Sequence, residues 1–159
     1  MPPSSPSKIL TNTAVRFLSL RPRFKAEVES KLLIKAKEIN ADPTLINQII
    51  KSLIKSGFIN DKELLKSYIH HRLIERGKGP FWIRMRLVRL GLNKQEIENA
   101  IKKHAPRKLQ VRVLRQIVQK NQLKKSDLMA KARLMRRLLS RGFGIDLVRQ
   151  AVDSGPSWE

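Results

Sequence analysis

Across nearly the whole chain, apolar positions return every three or four residues, the spacing that collects them on one side of an α-helix. Val111, Leu114 and Val118 form one such set, and Leu128, Ala132, Met135 and Leu139 form another. No stretch alternates apolar with polar residues for long enough to suggest a strand. Prolines and glycines fall between the periodic segments. The pattern predicts nine helices, over residues 12–20, 24–37, 43–56, 61–76, 80–90, 94–104, 107–120, 127–140 and 146–153. Helix starts are marked by Asp42 before Pro43, and by Asn60 with Glu63 and Asn93 with Glu96 at capping-box spacing. Gly57, Gly91 and Gly142 stand where helices should stop.

The glycines expose a repeat. With Gly91 set on Gly142, Leu87 falls on Leu138, Leu92 on Phe143, Ile97 on Val148, Ala100 on Ala151 and Ile101 on Val152. Helix, turn and helix therefore recur with the same apolar positions. The first third matches more loosely: "KLLIKA" occupies the turn position, and extra residues including Asp42 and Pro43 precede the third helix. The expected fold is all-α, with tandem repeats of three-helix bundles of about 45 residues each, arranged as an elongated and curved array because units so small lean on neighbours. A disordered tail over 1–11 precedes units at 12–58, 59–104 and 105–153, and a tail at 154–159 follows. A single nine-helix bundle is the competing arrangement.

Charge changes the picture most. The 159 residues carry 34 Lys and Arg against 13 Asp and Glu, a net charge of +21. Self-repulsion of that size opposes compaction unless a polyanion is nearby. Residues 102–141 hold fourteen cations and one acid, Asp127. Lys108, Arg112 and Arg115 share a face of the seventh helix, and Arg133, Arg137 and Arg141 form an i, i+4, i+8 row on the eighth. Like charges at that spacing cost a helix about 0.2–0.5 kcal/mol per pair, so a function is the simplest reason to keep them, although a merely solvated face is the alternative. In "RLIERGKGPFWIRMRLVRLGL", residues 72–92, Arg84, Arg86 and Arg89 follow Trp82 with no acid among them. The expectation is that these arginines face an anion outside the chain. Trp82, Arg86 and Arg89 lie at i, i+4, i+7, so the indole either braces a guanidinium or belongs to the core.

Chemistry is sparse. His70 and His71 are adjacent and His104 stands alone, which is not metal-ligand spacing. No Cys, no Ser-His-Asp order and no phosphate-cradling GxxxxGK[ST] are present. No enzyme activity, cofactor or metal is expected. "GKGP" at 77–80 is either an anion cradle at a helix start or a plain turn before Pro80. No apolar run approaches the roughly 20 residues that span a bilayer, and "MPPSSPSK" lacks the apolar core of a secretory signal. The expected location is cytoplasmic, without a membrane partner. A basic membrane-surface helix set is the weakest alternative, because the apolar faces are needed for packing.

Three segments, "FLSLRPRFKAEVESKL" at 17–32, "GFINDKELLKSYIHHRLIERGKGPFWIRMRLVRLGL" at 57–92 and "LLSRGFGIDLVRQAV" at 138–152, resemble the RecX family of recombination regulators. The motif positions are Gly57, Asp61, Tyr68, Gly79, Pro80, Ile83, Leu87, Gly91, Gly142 and Phe143. Departures are Phe24 in place of the family's Ser, Leu65 in place of a small residue, Trp82 in place of Arg, and Arg86 where an acid is common. The resemblance implies a modular, monomeric, non-enzymatic protein that binds the groove of the RecA recombinase filament and restrains its ATPase, strand exchange and growth. The candidate partner-binding residues, toward RecA or single- or double-stranded DNA, are Arg21, Arg23, Arg72, Trp82, Arg84, Arg86, Arg89, Lys108, Arg112, Arg115, Arg133, Arg136, Arg137 and Arg141. The alternative is a basic protein acting directly on DNA or RNA. Leu87, Gly91 and Ile97 approximate helix-turn-helix spacing, but Glu96 and Glu98 near the would-be reading end repel phosphates.

Overall fold

The computed structural model describes residues 5–124 and 126–154. Among them nine α-helices and no strand are found: α1 (Pro6–Leu20), α2 (Lys25–Glu38), α3 (Thr44–Lys55), α4 (Asp61–His70), α5 (Pro80–Arg89), α6 (Lys94–His104), α7 (Arg107–Lys120), α8 (Leu128–Ser140) and α9 (Ile145–Ser154). A π-helical turn over His71–Glu75 continues α4, closed by the Arg76 amide bonding to the His71 carbonyl. Helix α1 starts before residue 12, which corrects the expected tail: Pro6 takes the first position, and the Ser5 hydroxyl accepts the Lys8 amide at 3.4 Å. Burial of Leu10 rewards the extra turn. Of the expected tails, residues 1–4 and 155–159 lie outside the described residues, and Ser154 is helical.

Two compact units divide the chain. One carries α1 to α3, the start of α4 as far as Leu65, and Leu90–Leu92; the other carries Lys66–Arg89 and the residues from Asn93 onward. In the first, Leu10 and Ala14 from α1 meet Val28, Leu32 and Ala36 from α2 and Ile46, Ile49, Ile50 and Leu53 from α3. The i, i+4, i+8 spacing on α2 is what lines three residues along one seam. Each fully buried Leu, Ile or Val contributes about 1.5–3 kcal/mol. The second unit holds two further three-helix sets, the end of α4 with its π turn, α5 and α6, and then α7, α8 and α9. Leu73, Ile83, Leu87, Ile97, Leu114, Leu138 and Val148 are fully buried there.

The repeat is more regular than expected. Gly91 and Gly142 adopt left-handed φ of +87° and +88°, and Asn40 adopts +50° at the same 51-residue interval before Gly91. Asn is the non-glycine residue that tolerates this conformation best. Four residues earlier lie Ala36, Leu87 and Leu138; six later lie Ile46, Ile97 and Val148; all are buried. The first third therefore needs no extra residues. "KLLIKA" belongs to α2, not to the turn, and the 51-residue spacing of Gly91 and Gly142 extends back to Asn40. Asp42 and Asn93, two positions after the left-handed residue, each cap the next helix: Asp42 Oδ1 accepts the Thr44 amide at 2.9 Å and Asn93 Oδ1 the Gln95 amide at 2.8 Å.

In α8 the buried stripe is Leu134 and Leu138, against Leu147, Val148, Ala151 and Val152 of α9. The set expected there, Leu128, Ala132, Met135 and Leu139, is displaced from it, and Leu128 is 75% exposed. Two apolar stripes run along this helix, and packing on α9 selects one.

Candidate polyanion interface

Helix α5 is fixed by core side chains along its length and by backbone bonds at its start. Ile83 and Leu87 anchor it in the core. At its start the Gly79 amide donates to the Arg141 carbonyl at 2.7 Å and the Phe81 amide to the Gly142 carbonyl at 3.1 Å. The chains approach so closely that a Cβ on Gly79 would overlap the Gly142 carbonyl, and one on Gly142 would lie 2.8 Å from Trp82 Cβ. Within "GKGP" the Lys78 amide donates to the Arg72 carbonyl at 2.8 Å and the Gly79 amide to that of Arg141, so these donors are committed and the segment works as a packed turn.

The arginines of α5 do not act alike. Arg84 reaches across to α6 and holds Glu98 with two parallel bonds, Nε to Oε1 and Nη2 to Oε2, the latter at 3.0 Å. The hydrogen bond from Arg84 keeps the Glu98 carboxyl below the ordinary range and, reciprocally, raises the Arg84 guanidinium. This corrects the expectation that Arg84 faces an outside anion. Arg86 and Arg89 are exposed and make no ion pair among the described residues. Trp82 is half-buried, and the cations on its ring are Arg72 at 5.6 Å and Lys78 at 5.0 Å, not Arg86. Arg72 also lies 5.1 Å from the Tyr68 ring, with its Nε buried and lacking an acceptor. The π turn is what delivers Arg72 between two aromatic rings. Arg141 Nη1 packs 2.9 Å from where a Cβ on Gly77 would stand.

On α7 and α8 Lys108, Arg112, Arg133 and Arg136 are exposed, and Arg115 is half-buried. Arg137 donates to Asn121 Oδ1 at 2.6 Å, which fixes its position without neutralising it. In the first unit Arg21 and Arg23 converge on Glu27, at 2.7 and 3.4 Å, and Arg23 lies 4.1 Å over the Phe17 ring. Glu27 also accepts the Phe24 amide at 3.0 Å, so the acid caps α2 while Phe24 itself is buried. Both arginines serve the fold there. Asp61 accepts the Lys25 amide at 2.8 Å.

Sequence spacing missed Phe81. It sits one residue after Pro80, outside the Ile83–Leu87 stripe, and is 61% exposed. That offset from the apolar stripe was the available signal. Phe81 lines a groove of about 540 Å³ with Lys102, Pro106, Arg107, Gly142, Phe143 and Gly144. No group of three His, Cys, Asp or Glu suited to a metal occurs among the described residues. No helix among them is long and apolar enough to cross a membrane.

The fold and surface define an all-helical, three-helix-repeat protein whose cations are largely unneutralised by its own acids. Residues 111–152 match the family model for the third three-helix domain of RecX. The regulatory protein RecX of Streptococcus uberis is 27% identical over 138 residues, 87% of this chain and 52% of that protein. That of Bacillus cytotoxicus is 30% identical over 139 residues, 86% and 50% respectively. The crystal structure of RecX from Lactobacillus salivarius superposes with a TM-score of 0.76 at 25% identity, covering 95% of this chain and 97% of the other. Over most of its length the chain is similar to regulatory proteins of the RecX family, and its match to a family model lies in residues 111–152. The chain spans about half the length of the curated relatives it matches.

Proposed function

We propose that this chain is a non-enzymatic, cytoplasmic regulator of homologous recombination that binds along the RecA filament as a monomer and restrains ATP hydrolysis, strand exchange and filament growth. Three units, the first beginning with α1 at Pro6 and the others near residues 59–104 and 105–153, each present a module to the filament. The observation that carries the reading is the set of exposed cations, Arg86, Arg89, Lys108, Arg112, Arg133 and Arg136, that have no ion pair among the described residues in a chain similar to regulatory proteins of the RecX family. Arginine suits an acidic protein surface or a phosphate backbone, because its planar fork pairs with either in two parallel bonds. RecA ATPase on single-stranded DNA, measured with the purified protein at near-stoichiometric amounts and low salt, should fall. An unchanged rate refutes the assignment.

A second reading, direct nucleic-acid binding, is favoured by one feature: residues 102–141 carry fourteen cations against the single acid Asp127. Specific reading by α6 is disfavoured, since Glu96 and Glu98 stand in its first turns. Loss of DNA binding with retained RecA inhibition in the Arg133→Glu, Arg137→Glu double variant would confine these residues to DNA.

A further inference from the structure

We propose that the groove beside the Gly79–Gly142 contact is a binding slot for one segment of single-stranded nucleic acid, with a base stacked on Phe81 and phosphates on Lys102 and Arg107. The inference rests on the nucleic-acid reading and deepens it.

Three observations converge. First, Phe81 lines the groove with 61% of the residue exposed, and its backbone is fixed there by the amide's bond to the Gly142 carbonyl. Burying such a ring would gain about 1.5–3 kcal/mol, so its outward placement calls for a partner. Second, Phe81 is the one large exposed apolar side chain in the lining, since Ile101, Ala105 and Phe143 are buried. A single exposed ring offers one planar face, which a base matches by stacking, whereas an apolar peptide anchor is held by several apolar side chains around it. Third, the rim is cationic. Lys102 and Arg107 are exposed with no ion pair among the described residues, and the one other cation in the lining, Arg84, is already held by Glu98. Pro106 also leaves the first turn of α7 without a side-chain cap, which adds positive field at the same rim. An aromatic platform flanked by cations is the recurrent device of single-strand binding, and it works on any base. The volume of about 540 Å³ suits a nucleotide or two, not a duplex.

The test uses the full chain and fluorescence anisotropy with labelled oligo-dT and with a duplex of equal length. Phe81→Ala should weaken oligo-dT binding about tenfold and leave duplex binding nearly unchanged, and Phe81→Trp should restore it. Arg107→Gln and Lys102→Gln should each reduce the salt dependence for oligo-dT by about 0.7 in slope. Failure of the wild type to bind oligo-dT at low salt overturns the nucleic-acid reading as a whole. Wild-type binding that Phe81→Ala leaves intact, or lowers equally on duplex, overturns the slot alone. Competition by polyglutamate that depends on Phe81 reassigns the groove to an acidic peptide and likewise overturns it. Circular dichroism of each variant separates these outcomes from unfolding.

Discussion

The amide of Gly79 is bonded to the carbonyl of Arg141 at 2.7 Å, which joins the start of α5 to the end of α8 through backbone alone. Two segments that look independent along the chain, "GKGP" and "RGFG", are thus the two halves of one contact within the second compact unit. Glycine is required on both halves for space, and at Gly142 for a left-handed φ as well.

Gly142→Ala should therefore cost about 2–4 kcal/mol, combining left-handed strain with overlap on Trp82 backbone that cannot retreat. Gly57 separates the two causes, since it has φ of +77° but open space around its Cα. Gly57→Ala should cost about 1 kcal/mol. Gly144→Ala, with ordinary φ and open space, should stay within about 0.5 kcal/mol. Urea unfolding with unchanged slope checks all three. Equal losses at positions 57 and 142 would contradict the contact.

The Arg84–Glu98 pair predicts opposite effects on stability and on binding. Glu98 is depressed in the folded state, so its contribution is present above its unfolded pKa and disappears as pH falls through the folded value, on the acid side of the ordinary carboxylate range. The pair is largely exposed, so Glu98→Gln should cost no more than about 1 kcal/mol at neutral pH. That loss should fade in strong acid and in high salt. The same change releases Arg84, and polyanion affinity should rise roughly threefold beyond the rise given by Glu75→Gln, which alters net charge identically. Heparin-column elution against pH-dependent unfolding distinguishes the two effects.

The helical class, the three-part repeat and the core positions Leu87, Ile97, Leu138 and Val148 were legible because each sits at helical spacing from a glycine that had to be left-handed. Asn40 hid the first copy, since a residue that tolerates positive φ is no punctuation mark in sequence. The cations were legible as a total, but their commitments were not. Glu98 is fourteen residues from Arg84, and Lys78 and Arg72 reach Trp82 only because the π turn and the Gly77 bend bring them there. Which of two apolar stripes on α8 turns inward is decided by α9, a tertiary choice that periodicity does not contain.

Trp82 should be worth more to stability than a half-exposed aromatic normally is. Two cations share its ring, each contributing about 0.5–1 kcal/mol, and its backbone lies against Gly142. Trp82→Ala should cost about 2–3 kcal/mol, and Trp82→Phe less than half of that. Arg72→Lys should lose most of the stacking on Tyr68 and Trp82, because an ammonium lacks the planar face. Thermal unfolding of the three variants gives the order directly, and a Trp82→Phe loss matching that of Trp82→Ala would show that the ring acts through volume rather than through its face.

Salt dependence of duplex binding should divide the arginines by their present commitments. Each cation that neutralises a phosphate contributes about −0.9 to the slope of log K against log salt. Arg86 and Arg133 are exposed and without an ion pair among the described residues, so Arg86→Gln and Arg133→Gln should each flatten the slope by about one contact. The Arg84→Gln, Glu98→Gln double variant removes a cation and the acid that already holds it, leaving net charge unchanged. It should leave both slope and affinity close to wild type. If instead the double variant flattens the slope as much as Arg133→Gln does, Arg84 leaves Glu98 for the nucleic acid on binding, and the pair is a latch that opens against a stronger anion.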